Sequence, residues 1–151
     1  MHNQEVLTMT GKLDIVVYDK DGNVKEERTV PNIVTTVGKQ FIASRIANGS
    51  SSVMSHMEVG TSSTAAAAGQ TALVTPVSGS RTALSVSGGS PSSNTVQFAC
   101  TFPAGTGTGA LTEAGVFNAA SAGTMLCRTV FSVVNKGAAD TMSITWTVTI
   151  N

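Results

Sequence analysis

The sequence is short of charge. Only 12% of its 151 residues are charged, nine basic and nine acidic, so the formal net charge is zero. A disordered chain combines low hydrophobicity with an excess of one charge, whereas 41% of this chain is hydrophobic. A protein that binds nucleic acid through phosphate contacts needs a basic surplus, and this chain has none. Both classes are therefore disfavoured, and the length predicts one folded domain over residues 1–151.

Residues for the common catalytic and metal chemistries are also scarce. Cys100 and Cys127 lack C-x-x-C spacing, and each alternates with apolar neighbours, so we expect two reduced thiols that face the core. His56 has no Asp or Cys neighbour, and His2 stands at the terminus, so neither completes a triad or a metal shell. The sequence predicts no enzyme and no cofactor.

Long apolar runs are missing as well. No stretch approaches the roughly 20 apolar residues of a membrane-spanning helix. The start, Met-His-Asn-Gln-Glu, is polar and lacks the apolar core of a secretory signal. We therefore expect a protein made in a reducing cytoplasm, with no membrane partner and no nucleic-acid partner.

The charges that are present lie mostly in the first third of the chain. Residues 1–45 carry six basic and six acidic residues, whereas the other 106 residues carry only six charges in all. Monomers usually keep more charge than this on their exposed faces. The long uncharged part is therefore predicted to pack against other protein surfaces.

The N-terminal segment predicts a hairpin and then a helix. Residues 5–30 form a charged hairpin or arm, in which two alternating runs flank an Asp-Gly turn. The segment 19–23 also resembles part of a calcium loop, but its glycine stands at the fourth position instead of the sixth, which favours the turn. Residues 35–48 predict a helix capped by Thr35 or Thr36, whose apolar stripe should lie against a sheet.

Residues 50–151 predict a body of short strands separated by Gly, Ser, Thr and Ala loops. The clearest strand is Thr141–Ile150, in which apolar and polar residues alternate throughout. The expected fold is mainly β: an antiparallel β-sandwich (jelly-roll-like) with one short helix and an N-terminal β-hairpin. The other strands are expected at 53–59, 81–87, 94–102, 111–117 and 124–131.

A few residues of this body are candidates for specific roles. Glu113 is expected to pair with Arg128 across neighbouring strands or with backbone amides of a loop. Glu113 and Asp140 are the only carboxylates after residue 58, but nothing in the sequence predicts the cleft that a catalytic carboxylate pair requires. The candidate core anchors are Val116, Phe117 and Trp146.

Four segments resemble the small structural proteins of tailed bacteriophages: the first is residues 54–73, and the other three contain short motifs. The three motifs are an E-A-G-V-F element containing Glu113, Gly115, Val116 and Phe117, an L-C-R-T-V-F strand with Arg128 and Phe131, and the closing D-T-M-S-I-T-W, which ends at Trp146. The similarity covers roughly residues 33–151, and the hairpin lies outside it.

This resemblance implies a protein of the phage virion, made in the host bacterial cytoplasm. The expected role is a capsid decoration or cement protein that binds across subunits of the major capsid protein and self-associates, as a homotrimer. The hairpin is the expected contact surface because its charges are dense enough to set register; the candidates are Asp19, Asp21, Lys25, Glu26, Glu27 and Arg28. The alternatives are a tail component (a short tail fibre or fibre-attachment adaptor, contacting tail proteins) and, more remotely, a carbohydrate-binding module.

Overall fold

Two antiparallel sheets face each other across a common apolar core. The computed structural model describes residues 4–151, and the described chain contains ten strands and one helix. Their bounds are β1 Met9–Tyr18, β2 Val24–Pro31, β3 Ile33–Val34, α1 Thr36–Ile46, β4 His56–Gly60, β5 Thr82–Ala83, β6 Ser90–Ser92, β7 Thr95–Phe102, β8 Gly109–Phe117, β9 Met125–Lys136 and β10 Thr141–Ile150.

Each sheet has five strands. Sheet A has the order β2-β1-β10-β7-β6, and sheet B has the order β3-β9-β8-β4-β5. The core forms between them because alternate residues of each strand point inward. The strands of sheet A contribute Leu13, Ile15, Phe98, Ile144 and Trp146, among others. The prediction of a mainly β, antiparallel sandwich with one short helix and an N-terminal hairpin is confirmed.

The N-terminal hairpin is part of the sandwich, not an arm outside it. Strand β1 lies in the interior of sheet A and pairs with β10 over ten residues, from Met9 opposite Ile150 to Tyr18 opposite Thr141. Only β2 is at the edge. In the turn, the Asp19 carboxylate accepts hydrogen bonds from the backbone N–H groups of Asp21 and Asn23, both at 2.9 Å, and Gly22 adopts a φ of 83°. The Asp-Gly segment is therefore a hairpin turn, as predicted.

The helix begins at the predicted N-cap, but it buries fewer side chains than its apolar stripe predicts. The Thr35 hydroxyl accepts a hydrogen bond from the Gly38 N–H, so Thr35 is the N-cap. Gly38 is the only buried residue of α1, whereas Ile46 is 80% exposed. The helix approaches β9 through Gly38, which lies directly against the Leu126 backbone. This close approach near one end leaves the last turn of the helix beyond the sheet.

Strand β9 is longer than predicted because it contains a bulge. Val130 is opposite Glu113 and Val134 is opposite Leu111, so β9 advances four residues while β8 advances two. Phe131 and Val134 consequently both face the core although they are three residues apart. A strict two-residue alternation therefore ends at Phe131 although the strand continues. The predicted strand at 81–87 is likewise wrong in extent, since only Thr82–Ala83 pair with β4.

We predict that Gly38→Val destabilises the protein by about 1–3 kcal/mol, because a Cβ at this position overlaps the Leu126 carbonyl and forces the helix off β9. Urea denaturation measures this. Gly69→Val is the matched control, since a Cβ there has no atom within 4 Å. Equal destabilisation by both variants would contradict the helix contact.

Candidate functional site

The most heavily organised region of the molecule is the outer face of sheet B. The segment 61–81, which connects β4 to β5, lies over this face. Leu73 from this segment packs with Phe117 and Met125 in a small apolar cluster outside the main core. Strand β8 is covered on both faces as a result, and all of its residues from Leu111 to Phe117 are buried.

A buried ion pair lies at the centre of this face. The Arg128 side chain on β9 donates to Glu113 on β8, with Nε and Nη2 at 3.0 and 2.7 Å from Oε2. Both side chains have 0% exposure. The predicted cross-strand pair is therefore confirmed, but the burial changes its energetics: a buried pair resists the loss of either partner far more strongly than an exposed one does.

The loop segment satisfies the remaining polar atoms of this pair. Glu113 accepts hydrogen bonds from the backbone N–H groups of Ser62, Val74 and Thr75, at 3.3, 3.1 and 2.7 Å. Arg128 also donates to the Gln70 side-chain oxygen at 2.9 Å and to the Thr64 carbonyl at 3.0 Å. The two expected partners of Glu113, an arginine and loop amides, are thus present together. Together, the hydrogen bonds to Glu113 and Arg128 fix the loop to the sheet at five residues.

Glycines provide the space that this network occupies. A Cβ at Gly60 would lie 2.5 Å from the Glu113 carboxylate and the Thr75 carbonyl. At Gly115 it would lie 3.0 Å from the Leu73 side chain. The E-A-G-V-F element therefore supplies the carboxylate of the ion pair, the space beneath the loop, a core residue (Val116) and the cluster residue Phe117.

A second ion pair extends the network, and the sequence analysis did not identify it. Arg81 contacts Glu58 through its Nε, and Nη1 donates to the carbonyls of Ala119 and Ala122 at 3.0 and 3.2 Å. Its guanidinium also stacks 3.6 Å from the centre of the Phe117 ring. The only available signal was that Glu58 and Arg81 are two of the few charges in an uncharged body.

A third polar cluster lies where β9 turns into β10. The Lys136 ammonium is buried and donates to the carbonyls of Asp140 at 2.7 Å and Pro103 at 3.0 Å. The Asp140 carboxylate accepts from the Lys25 ammonium at 2.5 Å and the Gly137 N–H at 2.7 Å. These two hydrogen bonds, Lys25 first, lower the pKa of Asp140 below its ordinary value. Burial lowers the pKa of Lys136, partly offset by the nearby Asp140 charge.

The structure divides the hairpin candidates between internal and external roles. Asp19 closes the turn, Lys25 bonds to Asp140, and Arg28 contacts Glu26. Asp21 is exposed beside Lys20. Glu27 is exposed, and within residues 4–151 its carboxylate has no hydrogen-bonded or ionic partner. Of the six candidates, Glu27 and Asp21 are therefore the carboxylates most open to a partner.

Most of the remaining candidate residues lie in the core, whereas His56 is half-buried. Phe131 is 7% exposed and Trp146 is fully buried, so Trp146 cannot serve as an aromatic platform for a sugar. Cys100 and Cys127 are free and buried; burial raises the pKa of Cys100 to about 12 and that of Cys127 well above its ordinary value. His56 Nδ1 is 2.8 Å from the Ser55 hydroxyl, and His2 lies outside the described residues.

The carboxylates are not arranged as a catalytic pair. Glu113 is sealed in the ion pair on the outer face of sheet B, whereas Asp140 belongs to the separate β9–β10 cluster. Across residues 4–151 no group of three or more His, Cys, Asp or Glu side chains could hold a metal ion. No helix in the same range is long and apolar enough to cross a membrane.

Comparison of the chain with models of known protein families, with curated proteins and with solved structures gives no match.

We predict that Arg128→Met destabilises the protein by about 3–5 kcal/mol, because it leaves the buried Glu113 carboxylate without a cation. Arg28→Met, which removes the partly exposed partner of Glu26, should cost no more than about 1 kcal/mol. Urea denaturation of both variants tests this. The double change Glu113→Leu with Arg128→Met should recover part of the loss, and equal costs for the two single arginine variants would contradict the prediction.

We predict that Asp140→Asn lowers the stability at neutral pH and that the deficit disappears in acid. Because the folded pKa of Asp140 is lowered, its stabilisation is present above the ordinary value of 3.8 and is lost as the pH falls through the folded pKa. Denaturation curves from neutral pH to well below 3.8, through the lowered folded pKa, measure the difference from the wild type. The exposed Asp21→Asn is the control and should show a smaller effect; a deficit that persists unchanged in acid would overturn the assignment.

Proposed function

We propose that this protein is a structural component of a bacteriophage virion, and specifically a capsid decoration or cement protein. The observation that carries the proposal is where the charges of the body lie. All six charged residues after residue 45 bond to other groups of the same chain: Glu58, Arg81, Glu113, Arg128, Lys136 and Asp140. The outer surface of the body is left with Ser, Thr, Ala, Gly and aliphatic side chains, a composition that favours close packing on other proteins.

The three phage-like motifs support the same proposal. Two of them meet in one network, since Glu113 of the E-A-G-V-F element bonds to Arg128 of the L-C-R-T-V-F strand. The third begins at Asp140, in the cluster with Lys136, and ends at the core residue Trp146. The resemblance therefore rests on residues that are buried and that contact one another or the core.

The proposed mechanism is stabilisation by repeated contact. Each copy, as part of a homotrimer, buries its uncharged surface across subunits of the major capsid protein. Many copies on one shell convert modest contacts into high avidity. The exposed charges at the edge of β2, above all Glu27, set the orientation of each copy because complementary charges act on association and register. The protein is made in the host bacterial cytoplasm and resides on the virion.

Cryo-EM of heads that lack the protein, incubated with the purified full chain, tests this proposal. We expect added density at three-fold or quasi-three-fold positions of the shell. Density confined to the tail of the complete virion would contradict a decoration role and favour the alternative tail component.

The same heads provide a quantitative test in a co-sedimentation assay. Glu27→Lys should weaken binding by about three- to tenfold, because a reversed charge opposes the capsid partner. Lys39→Glu, an exposed reversal on α1, is the matched control and should bind like the wild type. Equal loss for both variants, or for neither, would argue against orientation by β2.

A further inference from the structure

An open apolar pocket lies at the end of the sandwich opposite the hairpin turn. Its volume is about 300 Å³, and it lies between α1 and the strand ends at which β1 begins and β10 finishes. Its walls are largely apolar: Met9, Phe41, Ile42, Val53, Val96 and Ile150. One cation, Arg45, lies among the lining residues. Soluble proteins rarely leave a large apolar surface exposed to water, and where they do, it often marks a binding site.

The N-terminal segment of the same chain has the complementary composition. Val6 and Leu7 are consecutive apolar residues that are 67% and 71% exposed, and they precede β1 outside any strand. The exposed carboxylate of Glu5 comes directly before them. Residues 5–7 are therefore one acidic and two aliphatic residues, all exposed. The pocket has the matching groups, apolar walls and one cation.

The segment does not fill the pocket of its own chain. Thr8 is held to Asn151 by two backbone hydrogen bonds, from Thr8 N–H at 3.3 Å and from Asn151 N–H at 2.8 Å. These bonds continue the β1–β10 ladder by one pair, so residues 5–7 come directly before the paired part of the chain. The high exposure of Leu7 shows that its side chain is outside the pocket.

Arg45 can receive an external carboxylate. Its Nη1 donates to the carbonyls of Gly49 and Ser51, at 3.4 and 3.0 Å, and within residues 4–151 it has no acidic partner. The guanidinium is thereby held at the C-terminal end of α1 with donors to spare. Glu5 has no ionic partner in the same range. The two charges are complementary, and neither has an ionic partner among residues 4–151.

We propose that residues 5–7 of one copy bind in this apolar pocket of a second copy of the chain. Val6 and Leu7 then contact the apolar walls, and the Glu5 carboxylate pairs with the Arg45 guanidinium. Each copy then both donates a segment and accepts one, so the contact propagates from copy to copy and ends when a ring closes. This inference rests on the proposed function for its expected stoichiometry, a homotrimer, and it identifies the surfaces that form it.

Sedimentation velocity of the full chain without capsids, over a concentration series, tests this exchange of N-terminal segments between copies. We expect reversible association that weakens by at least about tenfold in Val6→Ser/Leu7→Ser, a change in an exposed segment that leaves the core intact. Val24→Ser removes another exposed valine, 56% exposed on β2, and should associate like the wild type. A chain that stays monomeric at all concentrations, or one in which only Val24→Ser weakens association, would overturn the proposal.

A charge exchange provides the second test. Glu5→Arg alone should weaken association, and its combination with Arg45→Glu should restore it, since the swapped pair again carries opposite charges. Failure of the double variant to restore association, with its folded circular dichroism spectrum intact, would contradict the pairing. Because no capsid is present, failure here leaves the proposed capsid contact standing, while a failure of the cryo-EM test leaves the exchange standing.

Discussion

The buried ion pair of Glu113 and Arg128 is the constraint on which the architecture of sheet B depends. A fully buried ion pair is stable only when further hydrogen bonds satisfy its remaining lone pairs and protons. Here the groups that form those hydrogen bonds come from one loop. The loop in turn needs Gly60 and Gly115 beneath it, because side chains there would displace it. One electrostatic requirement thus determines where a segment rich in Ser, Thr and Ala lies.

A second constraint acts on the edge strands of both sheets. An exposed strand edge invites pairing with other chains, and each edge strand of this sandwich has a feature that opposes such pairing. Of the four edge strands, β2 carries four consecutive charged residues, β6 contains Pro91, and β3 and β5 have only two residues each. Association through faces, ends and terminal segments is therefore favoured over the addition of strands.

The sequence predicts the parts of this structure that follow a regular period. Strand β10 alternates without interruption and is found with the predicted bounds, and Thr35 caps the helix through a bond to the Gly38 N–H, three residues away. The sequence does not show that segment 61–81 covers a sheet, because four of the five residues that hydrogen-bond to the Glu113–Arg128 pair do so through backbone amides and carbonyls that any residue provides. The pair Glu58–Arg81 spans 23 positions and no periodic pattern joins its members. The bulge in β9 is hidden for a related reason, since it violates the period that identifies strands.

The two ends of the sandwich differ in a way that separates the two proposed contacts. Strand β1 runs for ten residues, or roughly 33 Å, from the pocket at Met9 to the charged turn after Tyr18. The turn end holds Asp19, Asp21 and the Lys25–Asp140 pair, whereas the pocket end holds Val6, Leu7 and a single cation. Contacts made so far apart share no residue, so exchange of N-terminal segments at one end leaves the charged edge available at the other. A ring closed through its apolar ends would therefore present one charged edge per copy, and a lattice of capsid subunits would meet several of them at once.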